Sequence, residues 1–572
     1  MTDLTISCRA RRIPDIERVI AAITFVLVLM MIAAPLLYLL YGSFRTGAPG
    51  DPNAIFTLES WQTVYGTWKY LSAFFNSMVV GATVAGLSVL LGIMLAWIIA
   101  RTNAPWRRQL APLLVLPLMI SSLVTTLAWI ALAAPNAGFI NSLVRNVFGI
   151  RSLVDIYSFW GIVFVMVMHF SSYAFIPIYA ALRSIDGTLE EASYMLGASP
   201  LRTAFRMTFP LIWPVLASAF LLIFILAAET FSVPHLLGAS KGYHTLASNI
   251  FLDMSVEPGQ PALAAAAGTM LLWIALVGTL WQRSIIRNAG RYVTIGGKGG
   301  RYHVTELGRW RWVATGFILL YLLLSVILPY LALILASLMK FVTSNITMNS
   351  FSLANYVKLF SGNFNQPIGN SLLFSLVGGL ATTAICALVS YFIQRSRTAA
   401  GRFLDYAVII PTVIPALVLG VGMVWAYVSI PLGIYGTAWI LFLGYLTRYL
   451  GQGVRQSRAA LIQISAELSE AGRMAGATPL RVLKDIVVPL LRPALISLWT
   501  VLFILIFMEI SVTIILYGPR TQTLPTLLWS RMQGGYQTEA FAIAVVQATC
   551  VFAILFIADR LFGTLRNTLE HS

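Results

Sequence analysis

The sequence predicts an all-α polytopic membrane protein, with about twelve transmembrane helices in two parallel six-helix repeats. Three observations predict it. The 572-residue chain is 58% hydrophobic and only 10% charged, whereas a soluble domain carries about 25% charged residues. Apolar runs such as Ile20 to Tyr41, Trp312 to Leu338 and Ala540 to Ile557 suit a membrane span. Such a span takes about 20 apolar residues, because each backbone polar group must be satisfied within the helix. Finally, residue pairs recur at fixed offsets in the two halves of the chain.

The helices follow from these runs. Helices one to six are placed near 19–42, 74–100, 110–134, 159–182, 209–233 and 262–282. Helices seven to twelve are placed near 312–337, 370–394, 404–430, 434–456, 488–515 and 540–559. The first run is too long for a signal-peptide core and lacks a small-residue cleavage site, so it is read as a retained helix. Cys8, Cys386 and Cys550 are far apart, which leaves no disulfide framework and no Cys-x-x-Cys metal site.

The net charge of +17 has a topological reading. With the N-terminus inside, the cytoplasmic segments and helix ends hold 28 of the 38 Lys and Arg residues, the outside loops hold 9, and Arg448 lies within a helix. That bias is what the positive-inside rule demands of a multi-pass membrane protein with both termini cytoplasmic. The basicity thus belongs to the lipid bilayer, and nucleic acid is excluded as a partner.

At an offset of 294, Asn76-Ser77 matches Asn370-Ser371, Arg101 matches Arg395, and Pro117 matches Pro411. Further on the offset is 279, where Glu191-Ala192 matches Glu470-Ala471 and Gly197-Ala198 matches Gly476-Ala477. Pro200-Leu201-Arg202, Pro210 and Pro214 recur at the same spacing. The change of 15 falls between the third and fourth helices, so the first half has the longer outside loop, around Asn136 to Ser158. Six helices per repeat is an even number, which makes the repeats parallel rather than inverted. The expected division is a first repeat at 1–282, a basic cytoplasmic linker at 283–311 and a second repeat at 312–572.

The strongest motif lies between the fourth and fifth helices of each half, at 183–208 and 457–487. Glu191, Ala192, Gly197 and Ala198 recur there as Glu470, Ala471, Gly476 and Ala477. Small residues permit close approach to a partner, the glycines suit a tight turn, and Ser199-Pro200 or Thr478-Pro479 starts a second short helix. This pattern resembles the EAA loop of binding-protein-dependent ABC importer permeases, with Ser193 and Gly472 departing at the third position. The resemblance implies a type I ABC importer-like fold in which each loop is a coupling helix seated in a cleft of one ATPase subunit. Two ATPase copies are therefore implied. No ATP site is present in this chain, since Gly297-Lys298 runs into Gly299 rather than Ser or Thr. ATP would be used by the partner, and this chain would be a non-catalytic subunit that binds no cofactor.

Ionisable residues inside spans are the default pointers to a pathway. Glu229 in helix five and Glu509 in helix eleven are the candidates, each followed by a Ser-Val step. Counting about 1.5 Å per residue from Pro210 and Pro489 sets both toward the outer mouth. Carboxylates there suit a hard cation or an outer gate; helix–helix contacts are the plainer alternative. His169 and Arg448 rank lower, because such residues commonly bond a backbone carbonyl or snorkel. No metal-ligand set is assigned.

Over nearly its whole length the chain resembles the fused twelve-helix permeases of the ferric-iron importer family. Besides the repeat and both loops, the resemblance rests on Glu229-Thr230-Phe231-Ser232-Val233-Pro234, Leu236-Leu237-Gly238 and the linker Tyr292 to Gly299. It implies a periplasmic substrate-binding protein, a homodimeric ATPase and ferric iron as cargo. Similar permeases serve thiamine, polyamines or phosphonates. A secondary transporter would need no paired loops of this kind, and a membrane enzyme would need Glu229 and Glu509 within reach of one substrate.

Overall fold

The computed structural model describes residues 15–150, 152–256, 259–288, 304–343, 347–361, 364–395 and 399–562. Cys8 and the linker motif Tyr292 to Gly299 lie outside the described residues. Helices one, two, four, five and six are Asp15–Ser43, Trp68–Arg101, Phe159–Ser184, Phe209–Glu229 and Pro261–Asn288. Helix seven runs from Arg311–Leu322 through a π turn into Leu328–Ser337. Helices eight, ten, eleven and twelve are Asn365–Arg395, Ala438–Ile462, Val488–Phe507 and Gln537–Phe562. Among the described residues nine helices are long and apolar enough to cross a membrane, or eleven with two bent pairs each counted as one span. Helix ten occupies the remaining expected position, and its 25 residues carry Arg448, Arg455 and Arg458.

The bent pairs correct the expectation of continuous third and ninth helices. Arg107–Met119 meets Ser122–Ala133 at 95°, and Phe403–Val413 meets Ala416–Ser429 at 107°. In the second half Pro415 pushes Ile414 out of the helical region, to φ −77° and ψ 120°. In the first half a capping serine takes the proline's place: Ser121 is extended, and its side chain accepts from the Val124 N–H. The break points differ by the repeat offset, so the bend belongs to the architecture and not to one half.

The recurring Asn-Ser pairs at the start of helices two and eight now have a physical role. A short helix follows helix five in each half, at Leu246–Ser255 and Leu524–Gln533. Helix N-termini leave backbone N–H groups without intrahelical partners. Ser77 Oγ accepts from the Leu246 N–H at 2.8 Å, and Ser371 Oγ accepts from Leu524 at 2.7 Å. Asn76 and Asn370 donate to the preceding loop at the His244 and Gln522 carbonyls, each at 2.9 Å.

Each half wraps the other. Helices one and six pack against helix nine, while helices seven and twelve pack against helix three. Gly422 lets helix nine reach helix one, since a Cβ there would lie 2.4 Å from the Pro35 carbonyl oxygen. Trp425, also on helix nine, is buried and donates from Nε1 to the Pro261 carbonyl at 3.1 Å. Separation of the halves therefore requires concerted movement of interlocked helices.

The two repeated loops fold alike. In the first, the Asp186 side chain caps Gly187–Met195, Gly197 turns the chain at φ +78°, and Pro200 opens a new helical turn. The second has Ala466–Met474, Gly476 at φ +84°, and Pro479–Val482. π turns at Ala204–Thr208 and Leu483–Val487, again 279 residues apart, join these short helices to helices five and eleven. The first loop has a buried anchor. Arg101 reaches Glu190 at 3.1 Å, with both side chains almost fully buried. Thr208 donates to the same carboxylate, and Arg101 donates to the Leu182 carbonyl at 2.8 Å. Ser469 stands at the corresponding position of the second loop. Removing one partner of a buried ion pair costs about 3–5 kcal/mol. Glu190→Ala is therefore expected to lower the thermal unfolding midpoint of the purified chain, whereas Glu191→Ala, at an exposed site, leaves it in place. Equal midpoints for the two variants would contradict the anchor.

Candidate functional site

The first site is the surface of the two loops. Glu191, Ala192 and Gly197 are exposed and Ala198 is half-buried; Glu470, Ala471, Gly476 and Ala477 repeat that order. A Cβ on Gly197 or Gly476 would touch nothing within 4 Å. The glycines are required by their positive φ, and not by a close neighbour within this chain. Each tip also displays large apolar side chains that the sequence reading passed over. Met195, Leu196 and Met474 are 90%, 88% and 83% exposed. Bare methionine and leucine on a helix tip form a surface suited to a protein partner.

The second site lies between the halves. Glu229 ends helix five, whose C-cap Thr230 is extended. Its carboxylate accepts from the Arg448 guanidinium of helix ten at 2.7 Å, so the ion pair joins the two halves. Arg448 also donates to the Ile414 carbonyl at 3.0 Å, a group freed by the break in helix nine. Glu509 stays within its own half. It accepts from Tyr449 Oη at 2.7 Å and from the Val512 N–H at 3.0 Å.

Arg448 is the eleventh residue of a 25-residue helix, so the ion pair sits near the middle of that span and not at its outer mouth. The residue count from Pro210 places Glu229 at the far end of helix five, while its partner lies midway along helix ten. Arg448 and His169, ranked low from sequence, both line the cavity beside this pair. They lie 279 residues apart, at equivalent positions of the two repeats. That equivalence was legible in the repeat. The ion pair was not, because it depends on the packing of helix ten of one half against helix five of the other.

The cavity has a volume of about 540 Å³. From the ion pair it follows helix ten toward the repeated loops past Gln452, Arg455 and Gln456, and helix five past Leu226 and Leu222. Arg455 and Gln456 are exposed, so the cavity opens on the loop side. On the opposite side the halves meet in an aromatic plug. Phe251 and Trp529, on the two short capped helices, approach to 5.2 Å between ring centroids. Phe231 and His235 pack on Trp529 at 5.2 and 5.3 Å. His235 Nε2 lies 3.0 Å from Gln533 Nε2. The cavity thus opens on the loop side, the aromatic cluster lies at its other side, and the salt bridge lies between the two.

Residues 88–291 and 379–569 each match the profile of the family described as binding-protein-dependent transport system inner membrane component. The ferric transport system permease protein FbpB of Actinobacillus pleuropneumoniae is 27% identical over 461 residues, covering 79% of this chain and 65% of that protein. The chain thus spans just under two thirds of that relative's length. A Sinorhizobium fredii protein named probable ABC transporter permease protein y4fN is 26% identical over 572 residues, 96% of each chain. The Fe(3+)-transport system permease protein FbpB 2 of Haemophilus influenzae is 24% identical over 477 residues, 82% of this chain and 86% of its own.

Proposed function

Because the chain belongs to the family of binding-protein-dependent transport system inner membrane components, we propose that it carries ferric iron to the cytoplasm by ATP-driven alternating access. The observation that carries this reading is the cavity between the halves, open beside the two repeated loops and plugged by Phe251 and Trp529 on the far side. In this reading the loop side is cytoplasmic, as are both termini. Met195, Leu196 and Met474 dock into two copies of a separate ATPase subunit, which supplies the ATP hydrolysis that this chain lacks. A periplasmic binding protein delivers cargo above the plug. The chain itself binds no cofactor.

The cycle follows from elementary energetics. A conformational change needs a ligand with different affinity for the two states. ATP closes the ATPases and draws the two loops together; the interlocked helices then open the plug and narrow the cavity. Glu229, Arg448 and Glu509 form the gate region of the path, where the inter-half ion pair holds the present state. The names of the relatives and the resemblance described above support ferric iron as the cargo.

ATP-dependent uptake of labelled ferric iron into vesicles tests the reading, with the ATPase and binding protein added back. Uptake that needs all three components supports it. Binding-protein-stimulated ATPase without iron uptake would keep the importer and discard iron. A second test concerns the plug. A disulfide between Phe251→Cys and Trp529→Cys is expected to abolish uptake, with recovery on reduction; full uptake in the oxidised protein would contradict a plug on the path.

A further inference from the structure

Resting on the importer reading, we propose that the inter-half cavity grips its cargo through oxyanion groups. These are carboxylate, phosphate or phosphonate oxygens, either free or arranged around a metal ion.

The charges on the cavity wall carry the argument. Both carboxylates are already engaged, Glu229 by Arg448 and Glu509 by Tyr449 and the Val512 N–H. A bare hard cation prefers about six oxygen ligands in close array. Among the described residues, no group of three His, Cys, Asp or Glu side chains could hold a metal ion. Arg455 is differently placed. It lines the same cavity, is exposed to it, and has no ion-pair partner among the described residues. Arg283, at the end of helix six, lies within electrostatic reach of it. A like charge nearby is costly to Arg455 in a cleft with low-dielectric walls, and an anion bound by Arg455 lowers that cost.

The neighbouring groups fit the same ligand. Gln452 and Gln456 share the Arg455 face of helix ten and line the cavity with it, adding amide donors. A guanidinium offers a planar pair of N–H donors that matches a carboxylate or phosphate edge. The volume of about 540 Å³ is in the range of small-molecule sites and far exceeds one ion with its ligand atoms. The positive-inside rule alone would place arginines at such helix ends, but their heads would then lie in lipid headgroups or bulk water. Arg458, one turn further along, is engaged by Asp405 at 2.6 Å, whereas Arg455 is left facing the cavity.

The test is equilibrium binding to the full chain in nanodiscs. The probes are citrate, ferric citrate, inorganic phosphate and 2-aminoethylphosphonate, with spermidine and thiamine as cationic comparisons. Saturable binding of at least one anionic probe is expected, weakened about tenfold or more by Arg455→Gln and by Arg283→Gln. Arg455→Lys should retain much of the binding, which separates lost charge from lost folding. Ferric citrate binding more tightly than citrate would identify a chelated metal as the carrier of the oxygens; the reverse order would identify a free anion. Binding of only the cationic probes, anion binding indifferent to both substitutions, or no anion binding at millimolar concentration would overturn the proposal. Failure of the importer reading would appear separately, as vesicle uptake that needs no ATPase.

Discussion

Arg448→Met is expected to reduce ATP-dependent uptake about tenfold or more, with a greater loss than Glu229→Gln. Arg448 makes two bonds that no other described residue makes for it, to Glu229 across the halves and to the Ile414 carbonyl at the helix break. Removing the guanidinium leaves an unpaired carboxylate in a site where the Glu229 side chain is 13% exposed. Breaking a buried pair in this way costs about 3–5 kcal/mol, charged entirely to the conformation in which the pair forms. Glu229→Gln removes the charge but keeps an oxygen that accepts from Arg448, so its effect is smaller. Combining Glu229→Gln with Arg448→Met should recover part of the lost uptake, because no orphaned carboxylate remains. A double-mutant cycle on uptake rates measures this coupling, and additive losses would contradict the gate. Glu229→Gln combined with Glu509→Gln should also impair uptake; unchanged uptake would return both carboxylates to helix packing.

Gly197→Asp and Gly476→Asp are each expected to abolish uptake while membrane insertion is retained. Both glycines adopt positive φ, at +78° and +84°, a region that asparagine and aspartate tolerate better than other side chains. The space around each is empty within this chain, so the new group meets no neighbour and its cost here is the strained backbone alone. In the proposed complex the docked ATPase leaves no such room. A carboxylate beside the bare Met195 and Leu196, or beside Met474, must be desolvated when the loop docks. Loss of ATPase co-purification together with loss of uptake is the expected result. Normal co-purification and transport in both variants would show that these tips are not the docking surface.

Much of the architecture was legible because membrane spans and repeats write themselves directly into sequence. Apolar length located the helices, and the two offsets identified equivalent positions in both halves. The equivalences ran deeper than the helices: Asn76-Ser77 and Asn370-Ser371 proved to hold the same short helix in each half. Gly197 and Gly476 were read as turn residues, and they have the backbone angles that such turns require. The breaks in helices three and nine were less visible, because hydropathy registers composition and not direction. Pro415 carried a local signal for one break, but Ser121 is an ordinary residue until its side chain is seen accepting from Val124. The ion pair lay beyond reach for a different reason. Glu229 and Arg448 are 219 residues apart, and their meeting depends on how the halves interlock. Phe251 and Trp529 are equivalent residues of the repeats, but their contact is fixed only when the two short helices face one another.

The central claim is that the cavity and the plug are exposed in turn to opposite sides of the membrane. Thiol accessibility in the assembled complex tests it most directly. With Cys8, Cys386 and Cys550 replaced by serine, Gln456→Cys and Phe251→Cys are introduced separately, and a membrane-impermeant thiol reagent is applied from one side at a time. The account predicts that the Gln456→Cys variant is labelled from the loop side without nucleotide and protected in the ATP-bound complex. The Phe251→Cys variant should show the reverse from the other side. Labelling of both variants in the same nucleotide state, or labelling that ATP leaves unchanged, would contradict alternating access through this cavity.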